Sequence, residues 1–444
     1  MESVVKKGLV DQAMDRCQKN LLPFILLMYI LAFLDRANIG FAKTAFQLDT
    51  GVSDAAYALG AGIFFIGYAI CEVPSNIIMH HVGARVWMAR IMITWGIVAA
   101  GFAFVKTDTQ FLVLRVLLGI CEAGFFPGII YYLTLWFTAE RRGTVMGFFY
   151  FGPAIAFIFG SPLSGLLMDM DGFLGFKGWE WMFAVEGLMA TVVGIWALWY
   201  LVDRPEKAKW LPEDEKQALV AALQEENDNK PKEKVSALKV LADFKVLYLC
   251  AIYFCIQLSV YGVTFYLPTQ VAGLIGKKVG LMVGLVSAIP WICTLIGNSI
   301  IPQYSDRSGK RGILAAGLMF AAGVGICVSG TTSPVVGILG LCVASMGYFA
   351  AQPIFWIMPT RFLNGVAAAS AIGFINAIGN LGGFVAPNLR VWAEQTFHSP
   401  VAGLYAIGTV TFIGAVLFLI SIPMGMGKNT EAISKVSATN NLSA

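Results

Sequence analysis

The sequence predicts an all-α polytopic membrane protein with twelve transmembrane helices in two six-helix bundles. Three observations predict it. Of 444 residues, 57% are hydrophobic and only 13% charged, with a mean hydropathy of +0.72; a soluble domain is about 45–50% apolar and about a quarter charged. Apolar runs of about 20 residues, enough to cross a bilayer, recur along the whole chain. A single charged stretch, Asp203 to Lys245, separates six such runs from six more.

In order, the first six spans start near Leu21, Ala55, Val86, Phe111, Gly143 and Trp181. The second six start near Val246, Val279, Gly312, Pro334, Val366 and Val401. The expected domains are an N-terminal segment at 1–20, a bundle at 21–202, a linker at 203–245, a bundle at 246–426 and a tail at 427–444. The N-terminal "MESVVKKGLVDQAMDRCQKN" is amphipathic and charged, lacks the apolar core of a signal peptide, and reads as a lead-in on the membrane surface. The linker is nearly charge-balanced and holds a stretch of helically spaced Leu and Ala, which predicts a surface helix.

Basic residues set the topology. With both ends cytoplasmic, inner loops hold Lys6, Lys7, Arg16, Lys19, Arg85, Arg141, Arg142, Arg307, Lys310, Arg311 and Arg361. Outer loops hold fewer, namely Lys43, Lys106, Lys177, Lys277 and Lys278, interleaved with aspartates. The net charge of +4 forms no basic cluster, which argues against nucleic acid as a partner. The eight cysteines are scattered without metal-ligand or redox spacing and read as small packing residues. The three histidines likewise suggest no metal site, and no phosphate-binding loop is present. An enzyme and an ATP-driven pump are therefore disfavoured. The expected cofactor set is empty, with the proton gradient as energy source.

The halves echo each other. "MHHVGARVW" stands between the second and third spans and "QYSDRSGKRG" between the eighth and ninth, with Gly83 and Gly309 at matching turns. A repeated bundle is the architecture of alternating-access transporters, with the site at the repeat interface. It disfavours a channel.

Ionised side chains at mid-membrane cost several kcal/mol and usually face a cavity and function. "YILAFLDRANIGFAKTAF" carries Asp35 and Arg36, about 100° apart around one helix. "FLVLRVLLGICEAGFFPGII" carries Arg115 and Glu122, seven residues apart on one face and about 10 Å apart in rise, too far to pair intimately. Each is expected to meet another helix or a ligand. Arginine stays charged and its planar fork matches a carboxylate. A buried carboxyl can take up and release a proton. Protonating an acid that neutralises an arginine frees the arginine for an anion, which links proton uptake to anion uptake.

"YSDRSGKR" resembles the loop signature of the major facilitator superfamily, although the first-half copy has His80 and His81 where Asp and Arg are usual. With "FLDRANIGFAK", "YALGAGIFFIGYAICEVPSNIIMHHVGARVW", "RVLLGICEAGFFPG" and "GWEWMFAVEG", the chain resembles the anion:cation symporter family from Leu21 to Met426. It looks closest to bacterial sugar-acid permeases of the L-rhamnonate type, with tartrate-type permeases nearby. The resemblance implies Arg36 and Arg115 as carboxylate ligands and Asp35 and Glu122 as proton-coupling sites. It also implies Tyr68 as a substrate contact, and an inward-side clamp of Asp306, Arg307 and Arg311 at helix ends. Gln257, Tyr261, Gln352, Trp356, Asn376 and Asn380 are polar or amphipathic groups in apolar helices, open to ligand contact or interhelical hydrogen bonding alike. Asn376 and Asn380 match a region where the family places an asparagine ligand. The fifth helix, "FFYFGPAIAFIFG", lacks the glutamine that sugar-acid relatives can carry, and Glu186 matches a common acid without an assigned role.

The expected function is proton-coupled import of a small carboxylate, most simply an aldonate such as rhamnonate or galactonate, by a monomer in a bacterial inner membrane. Tartrate-like dicarboxylates or aromatic acids such as hydroxyphenylacetate are the rival substrates. A membrane sensor on the same fold is the remote alternative.

Overall fold

A computed structural model describes residues 2–149, 151–228, 243–359 and 365–424; the side chains of 2–7, 144, 306 and 365–370 are outside the description. Every regular element among the described residues is helical.

In chain order these are α1 (Glu2–Thr50), α2 (Asp54–Val82), α3 (Ala84–Gly101), α4 (Asp108–Glu122), α5 (Phe125–Thr134), α6 (Ala139–Phe149), α7 (Gly152–Met168) and α8 (Gly178–Tyr200). Then come α9 (Glu213–Asp228), α10 (Phe244–Thr264), α11 (Leu267–Ile275), α12 (Leu281–Ser308), α13 (Arg311–Val328), α14 (Pro334–Ile357), α15 (Gly365–Thr396) and α16 (Ala402–Ser421). Among the described residues, eleven helical stretches are long and apolar enough to cross a membrane. The span expected near Val366 falls in α15, a helix of 32 residues.

The chain forms two compact units, one built from α1–α9 with Lys277–Ala288, the other from α10, α11 and the chain from Ile289 onward. Within the first, α3 packs on α8, α2 on α4, and α1 on α7. Within the second, α10 packs on α15, α13 on α14 and α13 on α16. First-on-fifth and third-on-sixth span pairings thus occur in both units, as an internal repeat requires. Gly83 and Gly309 carry the matching turns, with φ of +100° and +66° that side-chain-bearing residues rarely adopt.

The N-terminal lead-in is not a separate surface element. It is the first turns of α1, which runs unbroken through Pro23. Its charged face is taken up by neighbours: Arg16 pairs with Glu215 of α9 at 2.9 Å, and Asp15 pairs with Arg141 of α6. The linker helix expected from the sequence is α9. Glu226 at its far end accepts the Ala139 N–H that opens α6, at 2.8 Å, and pairs with Arg142 at 3.3 Å. Just before it, Trp210 stacks on Trp136 with ring centroids 5.6 Å apart. Residues 229–242 of the expected linker and the tail from 425 are outside the description.

The fourth span is two helices rather than one. α4 ends at Glu122, Ala123 is extended (ψ 133°), and Gly124 takes φ +85° before α5 begins. A non-glycine residue would be strained at Gly124. Broken helices at membrane depth are tolerated where the freed backbone lines protein or a cavity. Here the break falls immediately after a buried acid.

Candidate functional site

Two helices bring the first four candidate charges together in the first unit. Asp35 and Arg36 leave α1 in different directions. Arg36 reaches across to α4, where its Nη2 donates to Glu122 Oε1 in an ion pair. Glu122 is fully buried and Arg36 nearly so, with 0% and 15% side-chain exposure. Arg115 and Glu122 do not touch each other, as their two-turn spacing implies, and each meets a different helix. Arg115 is buried and donates from Nε to Gly60 O at 2.8 Å and from Nη2 to Ala61 O at 3.2 Å.

Those two carbonyls belong to α2, which crosses α4 at very short range. A Cβ added to Gly67 would stand 2.8 Å from Val116 O, and one on Gly119 would run into the backbone oxygen of Phe64. Such contacts are closer than real Cβ atoms allow, so glycine is what lets α2 place its carbonyls within reach of Arg115. The same crossing brings in aromatic faces. The Arg36 guanidinium lies 5.2 Å from the Phe33 ring centre and 5.6 Å from both Phe64 and Tyr68. The Arg115 guanidinium lies 5.1 Å from the same Phe64 ring. Both cations therefore lie against one aromatic ring, an arrangement that stabilises guanidinium charge where water is scarce.

Asp35 is buried as well. Its Oδ1 accepts from Asn38 Nδ2 at 3.4 Å, and the charges of Glu122, Arg115 and Arg36 all act on it. Its Oδ2 has no hydrogen-bond partner, nor does Oε2 of Glu122. Glu186 of α8 is buried nearby and accepts from Ser164 Oγ of α7 at 2.7 Å.

In the second unit, Gln257 of α10 donates from Nε2 to Asn380 Oδ1 of α15 at 2.9 Å. The α10–α15 crossing is close at Gly382, whose added Cβ would lie 2.6 Å from Phe254 O. Trp356 of α14 sets its ring against Tyr253 of α10 at 4.8 Å. Gln352, four residues before it, and Asn376, four before Asn380, are half-buried. Tyr261 is buried and packs on Phe265. Gln257 and Asn380 thus meet across α10 and α15, and Trp356 of α14 meets α10 at Tyr253, one turn before Gln257; no described contact joins Gln352 or Asn376 to them.

Of the expected clamp, Arg307 is exposed at the end of α12 and Arg311 opens α13; the Asp306 side chain is outside the description. In the first unit the acid missing from the loop at His80 comes from elsewhere. Asp203, at the start of the linker, accepts the Arg85 N–H at 2.9 Å and approaches Arg85 Nε at 3.8 Å. His80 instead lies against the Tyr131 ring at 4.8 Å. Among the described residues no group of three or more His, Cys, Asp or Glu is placed to hold a metal ion.

Sequence spacing did not point to Phe33, Phe64, Ser164 or Asp203. Asn38 carried a signal, three residues after Asp35 on the same helical face.

Comparison with known proteins agrees with the fold. The model for the Major Facilitator Superfamily matches residues 25–387. The chain is 48% identical to the inner membrane transport protein RhmT of Escherichia coli (strain K12) over 410 residues, covering 92% of this chain and 95% of that protein. It is 44% identical to a transporter of Agrobacterium vitis named for tartrate, covering 90% and 92%. Among solved structures, the xylose transporter XylE from E. coli in a partially occluded inward-open conformation superposes with a TM-score of 0.69 at 15% identity, covering 90% and 96%. The fold is that of a transporter.

Proposed function

The chain belongs to the Major Facilitator Superfamily, and from that premise we propose that it is a proton-coupled symporter. It imports a small organic anion, a sugar acid of the aldonate class such as rhamnonate or galactonate, by alternating access. It acts as a monomer in a bacterial inner membrane with both termini cytoplasmic. The observation that carries this reading is the pair of guanidiniums, Arg36 and Arg115, against one Phe64 ring, with Glu122 a direct carboxylate partner of Arg36 and, among the described residues, no carboxylate in direct contact with Arg115.

Arg36 and Arg115 take the substrate carboxylate, bidentately where geometry allows. Protonation of Glu122 removes the negative partner of Arg36 and leaves the cation for the substrate. Protonation of Asp35 does the same at longer range for Arg115. Anion binding and proton binding then favour each other, which is the thermodynamic content of symport. Tyr68 supports the cation–anion cluster from α2. Gln257, Asn376, Asn380, Gln352 and Trp356 offer donors, acceptors and a flat apolar face suited to a polyol chain. With one carboxylate and two protons per cycle, import carries net positive charge inward.

A second reading, a permease for tartrate-like dicarboxylates, is supported by the presence of two arginines rather than one and by the relative named for tartrate. Proteoliposomes under an inward proton gradient separate the two. Rhamnonate, galactonate, gluconate, glucarate, tartrate and hydroxyphenylacetate are offered to wild type and Arg115→Ala. Gradient-dependent accumulation of an aldonate that a protonophore and the substitution both abolish upholds the reading. Accumulation of tartrate or the aromatic acid alone keeps the mechanism and replaces the substrate. Normal transport by Arg115→Ala overturns the site, and no uptake of any solute would leave a sensor.

A further inference from the structure

The second unit carries a surface groove of about 530 Å³ between α13 and α16. The two helices run antiparallel: Gly312 meets Ile422 at one end of their crossing, and Gly323 meets Phe412 at the other. Buried Ala316 and Ala415 form the floor of the groove, while exposed Ile313, Phe320, Val416 and Leu419 form its rims. Gly317 keeps it open, since a Cβ there would meet no heavy atom within 4 Å. Phe320 and Phe412 close the inner end, with ring centroids 5.3 Å apart. The other end, at Ile313 and Leu419, lies one turn from Lys310, the exposed residue that precedes α13.

That end stands at a membrane face. α13 is itself a span of 18 residues, about 27 Å long, which is close to the hydrocarbon thickness of a bilayer. The connection Asp306–Arg311 holds three cations, Arg307, Lys310 and Arg311, against one acid. Lys310 makes no side-chain capping bond at the start of α13, whose positive dipole end adds to the same field. From Ile313 to Phe320 the groove descends about 10 Å, within the depth of one leaflet. An apolar channel and a positive mouth at headgroup level therefore share one axis.

Shape alone would not hold an occupant here, because lipid tails are as apolar as the groove and no hydrophobic force drives one into it. The preference has to come from charge. A second copy of the chain fits poorly: two-fold contact presents the same patch twice, so concave would meet concave and Lys310 would face the cations of its twin. We propose that the groove is a binding site for an anionic phospholipid. One acyl chain lies along Ala316, Gly317 and Ala415 as far as the Phe320–Phe412 pair. The phosphate sits at Lys310 and the first turn of α13, in the field of Arg307 and Arg311.

The full chain in detergent, incubated with phosphatidylglycerol, phosphatidylcholine or diacylglycerol of identical tails, tests this by native mass spectrometry. Phosphatidylglycerol should be retained at least about fivefold over the other two, the effect of one basic side chain at a charged lipid surface. Lys310→Gln should lower phosphatidylglycerol retention by about that factor and leave phosphatidylcholine where it was. Gly317→Phe puts a ring where an added side chain meets no neighbour, so it should fold, run monodisperse and lose the retained lipid. A phosphatidylglycerol with a photoactivatable tail should crosslink wild type within 313–320 or 412–419. That crosslink and Lys310→Gln decide the matter even if Gly317→Phe misfolds. Equal retention of all three lipids overturns the proposal, as do crosslinks confined to other helices. A two-chain species that Gly317→Phe removes would give the groove to a second copy and overturn it as well.

Discussion

Arg36 of α1 and Glu122 of α4 form an ion pair although 86 residues separate them in the chain. The pair holds two helices together at the point where α4 breaks. Removing either partner strands a buried charge, which costs about 3–5 kcal/mol if that charge persists. Glu122→Gln keeps the shape and mimics the protonated acid. It should retain counterflow exchange of substrate and lose concentrative uptake driven by a proton gradient. Side-by-side counterflow and gradient-driven assays on one preparation check this. Full concentrative uptake by Glu122→Gln would remove Glu122 from the coupling step.

Arg115 spans two successive carbonyls of α2, at Gly60 and Ala61, with two different nitrogens of its guanidinium. A lysine keeps the charge but is a single point donor that cannot reproduce the fork. Arg115→Lys should therefore fold, run as a monodisperse species in detergent, and bind its anion at least about tenfold more weakly, the loss of one charge-assisted hydrogen bond. Isothermal titration with the transported anion measures it. Equal affinity would mean that Arg115 serves the α2–α4 crossing alone.

Asp203 caps α3 by accepting the Arg85 N–H, the second residue of that helix, at 2.9 Å. A carboxylate at a helix N-terminus satisfies an orphan donor and meets the positive end of the helix dipole. Asp203→Ala should lower stability by about 1 kcal/mol, seen as a lower thermal midpoint in detergent, with substrate affinity unchanged. A substitution at His80 should leave that midpoint in place, since no acid of the loop itself supports α3.

Much of this was legible because burying charge in an apolar run is costly, so Asp35, Arg36, Arg115 and Glu122 stand out in any hydropathy reading. Span positions were legible for the same reason, and the turn glycines at 83 and 309 announced the repeat. Partner choice was not. Nothing local says that Arg36 selects Glu122, or that Asp203 serves Arg85 from 118 residues away, because both depend on which helices cross. The break after Glu122 was missed since the "AGFF" that follows is apolar throughout and one glycine inside a span does not by itself end a helix. The continuity of α1 was missed for the converse reason: a polar face and Pro23 look like a boundary, yet α9 and α6 supply the partners that let the helix run on. The Gln257–Asn380 bond resolved an open choice only in part, for a hydrogen-bonded pair can be packing or a preformed ligand contact.

That choice defines the last prediction. Gln257 and Asn380 satisfy each other across α10 and α15 at 2.9 Å. Were the bond purely structural, Gln257→Ala and Asn380→Ala would each leave the partner amide unpaired and lower stability, and the double substitution would cost little more than one single. The coupling between them should be about 0.5–3 kcal/mol. For a pair that also serves the hydroxyls of a sugar acid, KM should rise in each single variant for an aldonate and stay constant for a transported acid that lacks hydroxyls. A site built to hydrogen-bond a hydroxyl discriminates strongly, because its polar groups are left unpaired by the wrong ligand. Uptake of both acids in the four proteins of the cycle, beside thermal melts of each, separates the two roles. Parallel rises in KM for both acids would assign the pair to packing.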